Sequence, residues 1–427
     1  MSTAADRDYL LTLEAVREQA GHVYEAAVAG KLENFEFHAS RLDATTDYVV
    51  SLILRDCKPE DFDKILPHGR WQHFNAGGVS RLEPLIEDWR SAGVDDIEIS
   101  RRVVDVIVVS VLLDAGAGDH WKFTENGATV GCSEGLAIAS LSAFKAGVFG
   151  ESCVDARTLA NLGSEKLAAA MQSTPQNPLL GMDSRTTLLQ RLGSSLLSNP
   201  NFQLGPRCRP GHLVDYVLAN GSVGDTLDFK VLWILLQGLL IPTWPEGRTT
   251  IAGVAIGDAW PLDVLTTTGN GKVLPIQPFH KLTQWLAYSL TSAVQRLLKK
   301  DWINLDILTG LPEYRNGGLF VDMGVLVLKP KILVEGLKAS GKSLPQYDAT
   351  GDVIVEWRAM TVVLLDVVAD MVNEKLTQKL GKDTRPLTLA QILEAGTWKA
   401  GRELAARYRA YDNACSPILM FSDGTLF

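Results

Sequence analysis

The chain has few cysteines, less basic than acidic charge and no long apolar run. Five cysteines in 427 residues (Cys57, Cys132, Cys153, Cys208 and Cys415) are odd in number and scattered, which speaks against a disulfide framework and against a four-thiolate zinc site. Cys208 and His212 in CRPGH come nearest to metal-ligand spacing, but they lack a second ligand pair, and no metal is expected. No apolar stretch approaches the roughly 20 residues that a bilayer-spanning helix needs, so no membrane partner is expected. The opening MSTAADRDYLLTLEAVREQAG reads as an amphipathic helix rather than a secretory signal, and a cytoplasmic protein is expected. The 41 lysines and arginines face 50 aspartates and glutamates, a net charge of −9. Without a Lys/Arg stripe interleaved with aromatics, nucleic acid is not an expected partner. GxSxG, HExxH and P-loop patterns are missing too, so serine acyl hydrolysis, zinc peptidase chemistry and ATP use find no support.

What is present is a hydrophobic fraction of 46% with 21% charged residues, enough to bury a large core as one big domain or two closely packed ones. The periodicity is mainly helical, over residues 4–29, 153–172, 183–197, 351–380 and 388–410. RRVVDVIVVSVLLD, Arg101–Asp114, is rich in β-branched residues, which favour a strand. Its length and the upstream Asp95-Asp96 N-cap favour a buried helix instead, and a helix is the reading adopted. Short extended pieces are expected at 248–257 and 322–329. There is no repeat and no flexible linker. The expected fold is mainly α, a single catalytic domain over 1–427 with short β segments, compatible with an N-terminal helical lobe over 1–100.

The densest chemistry lies in LTGLPEYRNGGLFVD, Leu308–Asp322, where a carboxylate, a phenol, a guanidinium and an amide precede a glycine pair. Glu313 is suited to orient a water or to stabilise a developing cation, and Arg315 to hold an anion. A solvated Glu/Arg pair on a proline-bearing turn would give the same letters. PFHKLTQW reads as a helix start with Pro278 near its first position. His280 and Lys281 there oppose the helix dipole, a conflict that an anion at the N-terminus would remove, with Gln284 one turn along. DAGAGDHW, with Asp114, Asp119 and Trp121, forms a helix exit that can serve a cavity or merely return Trp121 to the core. Ser133 reads as the N-cap of the next helix, with Glu134 in its first turn. GRWQHF adds Arg70 and His73 as further anion or substrate contacts.

Taken in order, GRWQHF, DAGAGDHW, SEGLAIAS, RPGHLVDY, PFHKLTQWLAYSL, TGLPEYRNGGLFVD and the terminal DGTLF resemble, over nearly the whole chain, the uracil-catabolism family of fungi and bacteria. That resemblance implies a pathway that converts uracil to its ribonucleotide, opens the ring and recovers urea nitrogen through a ribosylurea phosphate. PFHKLTQ and LTGLPEYRNGG are also similar to motifs of the queuosine-nucleotide glycosidases, which have a helical, DNA-glycosylase-like fold and cleave a base from a nucleoside 5′-phosphate. Lys281, Gln284, Tyr314 and Arg315 match residue for residue, and Glu313 replaces an aspartate. A further aspartate of that family falls at Ser289 here, a departure from its pattern.

Together these resemblances imply an N-glycosidase-type hydrolase that splits ribosylurea 5′-phosphate into urea and ribose 5-phosphate without a cofactor. Glu313 and Asp114 are the expected catalytic carboxylates. Lys281, Arg315, His280, Gln284, Tyr314, Asp119, Trp121, Glu134, Arg70 and His73 are the expected substrate contacts. A small phosphorylated ribosyl metabolite is the expected ligand, and association with other uracil-catabolism enzymes is compatible with the reading. Hydrolysis of another ureido intermediate, or non-catalytic binding of the intermediate, are the alternatives.

Overall fold

A computed structural model describes residues 3–114, 120–268, 273–412 and 415–421. The fold is mainly α: 61% of it is helical, with 19 α-helices and only short strands among the described residues. These residues gather into two compact units. One is drawn from Met1–His68, Arg248–Lys281 and Ile307–Ser422, the other from Gly69–Gly247 and Leu282–Asp306.

In the first unit the long helix Asp352–Leu380 packs against Leu13–Val28 and Leu42–Asp56. Gly381, at φ 108°, ends that helix where the sequence pattern places its stop. The segment 388–410 is less regular than its periodicity suggests. A capping box at Thr388 and Gln391 opens the helix Leu389–Ile392, a π-helical turn follows at Leu393–Thr397, and Trp398–Tyr408 completes the run. This last helix crosses Tyr314–Asp322 so closely that a Cβ on Gly401 would strike the Arg315 carbonyl, so only glycine fits there. The expected extended pieces form as the hairpin strands Thr250–Ile251 and Val254–Ala255, and as Leu326–Leu328 pairing antiparallel with Phe35–Phe37.

In the second unit the β-branched segment is a helix, Asp96–Leu112, with the Asp95 carboxylate accepting the Glu98 N–H at 2.8 Å. Burial on nearly every face explains the composition, because β-branched apolar side chains fill a core when tertiary packing overrides their strand preference. A hairpin joins Lys122–Glu125 to Ala128–Gly131 through Asn126 and Gly127, both at positive φ. The Asn-Gly pair between alternating residues is the sequence signal for such a turn. Ser133 is not an N-cap: the next helix begins at Cys132, which leaves Gly131 at the cap position and Ser133 inside the first turn with Glu134. The hydroxyl is two residues too far along the chain to cap the first free N–H groups.

Glu356, in the first unit, is buried and accepts the N–H groups of Glu33, Asn34 and Phe35 at 2.9, 2.9 and 3.0 Å. Burial pushes its carboxyl from the ordinary 4.5 up to about 7 against those three donors. A carboxyl with a raised folded-state pKa favours the fold while protonated. Its contribution, on the order of 3 kcal/mol, should therefore be full below about pH 4.5 and lost as pH rises through about 7. Urea unfolding of the wild type and Glu356→Gln from pH 4 to 8 should show this slope in the wild type and its loss in the variant.

Candidate active site

Glu313 is the N-cap of the helix Tyr314–Asp322 in the first unit. Its carboxylate accepts the N–H of Arg315 at 2.7 Å and of Asn316 at 2.5 Å. Only 8% of the residue is exposed. Burial raises its proton affinity, opposed by the two N–H donors and by the charges of Lys281 and Arg315. The cap uses one acceptor direction on each oxygen, which leaves the carboxylate able to accept further bonds. Tyr314 and Arg315 are half-buried, and the Arg315 guanidinium lies 4.8 Å from the Tyr314 ring centre.

The segment leading to Lys281 is built differently from the expectation. Pro278 does not start the helix. It closes the strand Ile276–Pro278, which pairs antiparallel with Ala259–Pro261, and the helix Lys281–Leu298 begins three residues later. A turn with His280 at φ 47° makes the change of direction. The anion required at this N-terminus belongs to the protein. Asp258 accepts the Lys281 N–H at 3.0 Å through its carboxylate, and the N–H groups of Phe279 and His280 at 2.8 and 3.1 Å through its carbonyl.

Arg358 grips the same carboxylate with two bonds, 2.8 and 2.7 Å, and lies over the Phe279 ring at 3.9 Å, while Trp260 adds a third donor at 2.8 Å. Burial alone would raise Asp258, but the Arg358 guanidinium holds it below the usual carboxylate range. His280 is buried, its Nε2 lies 2.8 Å from the Leu10 carbonyl, and burial lowers its pKa. A carbonyl only accepts, so the neutral ring carries its proton on Nε2. In the first unit Glu313 thus feels the charges of Lys281 and Arg315, Tyr314 lies beside Arg315, and the neutral His280 directly precedes Lys281 in the chain.

The second unit assembles a separate group. Arg70, fully buried, pairs with Asp114 at 2.7 Å and donates to the carbonyls of Ser133 and Ser110 at 3.0 and 3.2 Å. It also donates to His73 Nδ1 at 3.2 Å, which places the His73 proton on Nε2 when the ring is neutral. Its own N–H is accepted at 3.0 Å by Ser289, the residue where the glycosidase pattern has an aspartate. Trp285 lies beside both Arg70, at 5.8 Å, and His73, at 5.6 Å.

Arg185, which the sequence reading did not single out, is a second buried cation near Asp114, and burial pushes it down to about 10 against the Asp114 charge. Gln284 is fully buried in this unit, and Glu134 is half-buried. Trp121 belongs to the core: its ring is buried, its Nε1 donates to the Met171 carbonyl at 2.9 Å, and its ring packs beside Gly135, where the Val130 carbonyl leaves no room for a Cβ. Asp119 and the terminal DGTLF lie outside the described residues.

The residues missed were Arg358 and Arg185. Asp258 stood in GDAWP, whose letters suit an ordinary turn. Arg358 had a stronger signal, since VEWRAM sets two charges inside an otherwise apolar helical stripe, and an ion deep in such a stripe needs a partner. Removing one member of this pair should be costly. Asp258→Asn should destabilise the protein by roughly 3–5 kcal/mol by leaving Arg358 buried without its counter-charge. Urea unfolding above pH 6 should read that loss, and the difference from wild type should shrink as acid protonates Asp258.

The family described as "Protein of unknown function (DUF1688)" matches residues 9–427. "Protein urg3" of Schizosaccharomyces pombe is 47% identical over 423 residues, covering 98% of each chain. "Uracil catabolism protein 4" of Lachancea kluyveri is 40% identical over 443 residues, again covering 98% of each. Near-complete coverage at these identities, together with the match along almost the entire length, makes the chain a member of the DUF1688 family, to which the motif order had pointed.

Proposed function

We propose that this protein acts in uracil catabolism, and that its step is hydrolysis of the N-ribosidic bond of ribosylurea 5′-phosphate. The name of the Lachancea kluyveri relative supports the pathway. The observation that carries the reaction is Glu313, a buried carboxyl with raised proton affinity held under the influence of Lys281 and Arg315. The proposal includes the DNA-glycosylase-like arrangement of helices that the motif order implies.

In this reaction water oxygen bonds to the anomeric carbon as the carbon–nitrogen bond breaks. The departing urea nitrogen gains a proton and the water loses one. The sugar passes through oxocarbenium character, so a nearby carboxylate both stabilises the positive charge and receives the water proton. Glu313 is assigned that role. Its raised proton affinity suits a general base better than an ordinary carboxylate would. Lys281 is assigned to the phosphate, as a cation on a flexible stem close to Glu313 in charge terms. His280 is better suited to fixing the turn before Lys281, since its ring is neutral and engaged with Leu10.

Arg315 and Tyr314 are assigned to the sugar phosphate. Arg70, His73, Gln284, Glu134 and Asp114 belong to the second unit, and the proposal gives them no part in this reaction.

Glu313→Gln should retain the fold and most ground-state affinity, yet lower turnover at least about a hundredfold, the scale for losing a positioned base. Urea release at saturating ribosylurea phosphate, measured alongside thermal unfolding, tests this. Undiminished turnover in a stable variant would remove Glu313 from the mechanism. Lys281→Ala should weaken binding of the phosphorylated substrate much more than that of its dephosphorylated analogue. Equal losses for the two ligands would make Lys281 structural.

A further inference from the structure

We propose that the second unit carries another ligand site, a cleft of about 380 Å³ that takes a phosphorylated metabolite of sugar-phosphate size. The volume lies in the range of small-molecule pockets, and the lining shares no residue with the proposed reaction.

Two of its arginines form the fixed wall. Arg209 forks onto buried Asp105 at 2.9 and 2.6 Å, and Arg101 onto Asp215 at 2.9 and 2.5 Å. Glu98 ties the wall together, accepting from Arg209 at 2.8 Å, Arg101 at 3.2 Å and Arg102 at 3.1 Å. The other two arginines keep donors in reserve. Arg102 uses only Nε, so both terminal amino groups lack a protein acceptor among the described residues, and its guanidinium lies 5.3 Å from the Trp89 ring centre. Arg207 is exposed and is tethered over the cleft by Nη1, which reaches the Glu151 carbonyl at 2.9 Å and Cys153 Sγ at 3.5 Å. Its Nε and Nη2 have no protein acceptor, and no carboxylate among the described residues lies within ion-pair distance of it.

His212, in the same lining, has Nδ1 2.8 Å from the Phe202 carbonyl, so a neutral ring presents Nε2 as an acceptor. Planar guanidinium donors suit phosphate oxygens in pairs, and an imidazole acceptor suits a sugar hydroxyl. Glu98, Glu151 and Asp215 offset much of the cleft's positive charge. Recognition therefore rests on directed bonds and not on a broad positive field, which favours an acceptor-rich, hydroxyl-bearing ligand over any anion.

Trp89 supplies a local reporter. Ribose 5-phosphate, ribose and inorganic phosphate are titrated into the full chain while tryptophan fluorescence is followed, and the same titrations of Trp89→Phe are subtracted. A saturable Trp89-dependent change with ribose 5-phosphate is expected, about tenfold weaker in Arg102→Gln/Arg207→Gln and unchanged in Lys281→Ala. Arg207→Gln alone, at an exposed position, is expected to weaken it measurably without unfolding the protein. Absence of the Trp89-dependent signal, or equal affinity in the arginine variants, overturns the site. An equal response to inorganic phosphate means an adventitious ion only and overturns the metabolite assignment. Urea release is independent of these outcomes, so failure of the cleft and failure of the glycosidase reading are distinguishable.

Discussion

Asp258 and Arg358 form the contact on which the first unit's functional segment depends. One buried carboxylate answers a guanidinium, an indole N–H and the first backbone N–H of a helix, while its own carbonyl takes the two N–H groups before that helix. Lys281 is therefore placed by Asp258, with His280 folded into the turn at positive φ. Buried ion pairs contribute little net stability once desolvation is counted. Their stronger effect is to penalise every arrangement in which the partners are apart. The pair is best understood as a specification of where this helix starts and in which direction its first side chains emerge.

Glu313 repeats the device in the same unit with a different outcome. It too is a buried carboxylate at a helix N-terminus, yet its acceptors meet backbone N–H groups and more distant cations, with no guanidinium among the described residues forked onto it. Asp258 is consequently held ionised, whereas Glu313 has its proton affinity raised. Two carboxyls of similar chemistry are driven in opposite directions by their neighbours, and this difference is the physical ground for assigning structure to one and proton transfer to the other. In the second unit Arg70 plays the organising part. It joins the end of one helix, the first turn of another and Asp114 through a single buried guanidinium.

Much of the helical framework was legible before any coordinates. The Asp95 cap, the stop at Gly381 and the long stripe between 352 and 380 follow local rules, because capping and apolar periodicity act within a few residues. The Asn126-Gly127 hairpin was legible as well and was passed over. The start of the lysine-bearing helix was misplaced because Pro278 suits a first helical turn and the end of a strand equally well, and the choice between them was made by pairing with residues 259–261. The π-helical turn at Leu393–Thr397 has no local signature in the periodicity.

By itself the sequence determined the mainly α class, the family, and the identity of most candidate polar groups, since these depend on composition, short-range spacing and motif order. It could not decide what each group would face. Whether the anion at the helix beginning at Lys281 would be a ligand or a protein carboxylate, whether Trp121 would line a cavity or fill the core, and which arginines would be consumed by partners all depend on residues far away in the chain. Asp258 meets Arg358 a hundred positions later, and Asp105 meets Arg209 across a similar gap. Charge compensation in a buried site is a three-dimensional condition, and only the tertiary structure could settle it.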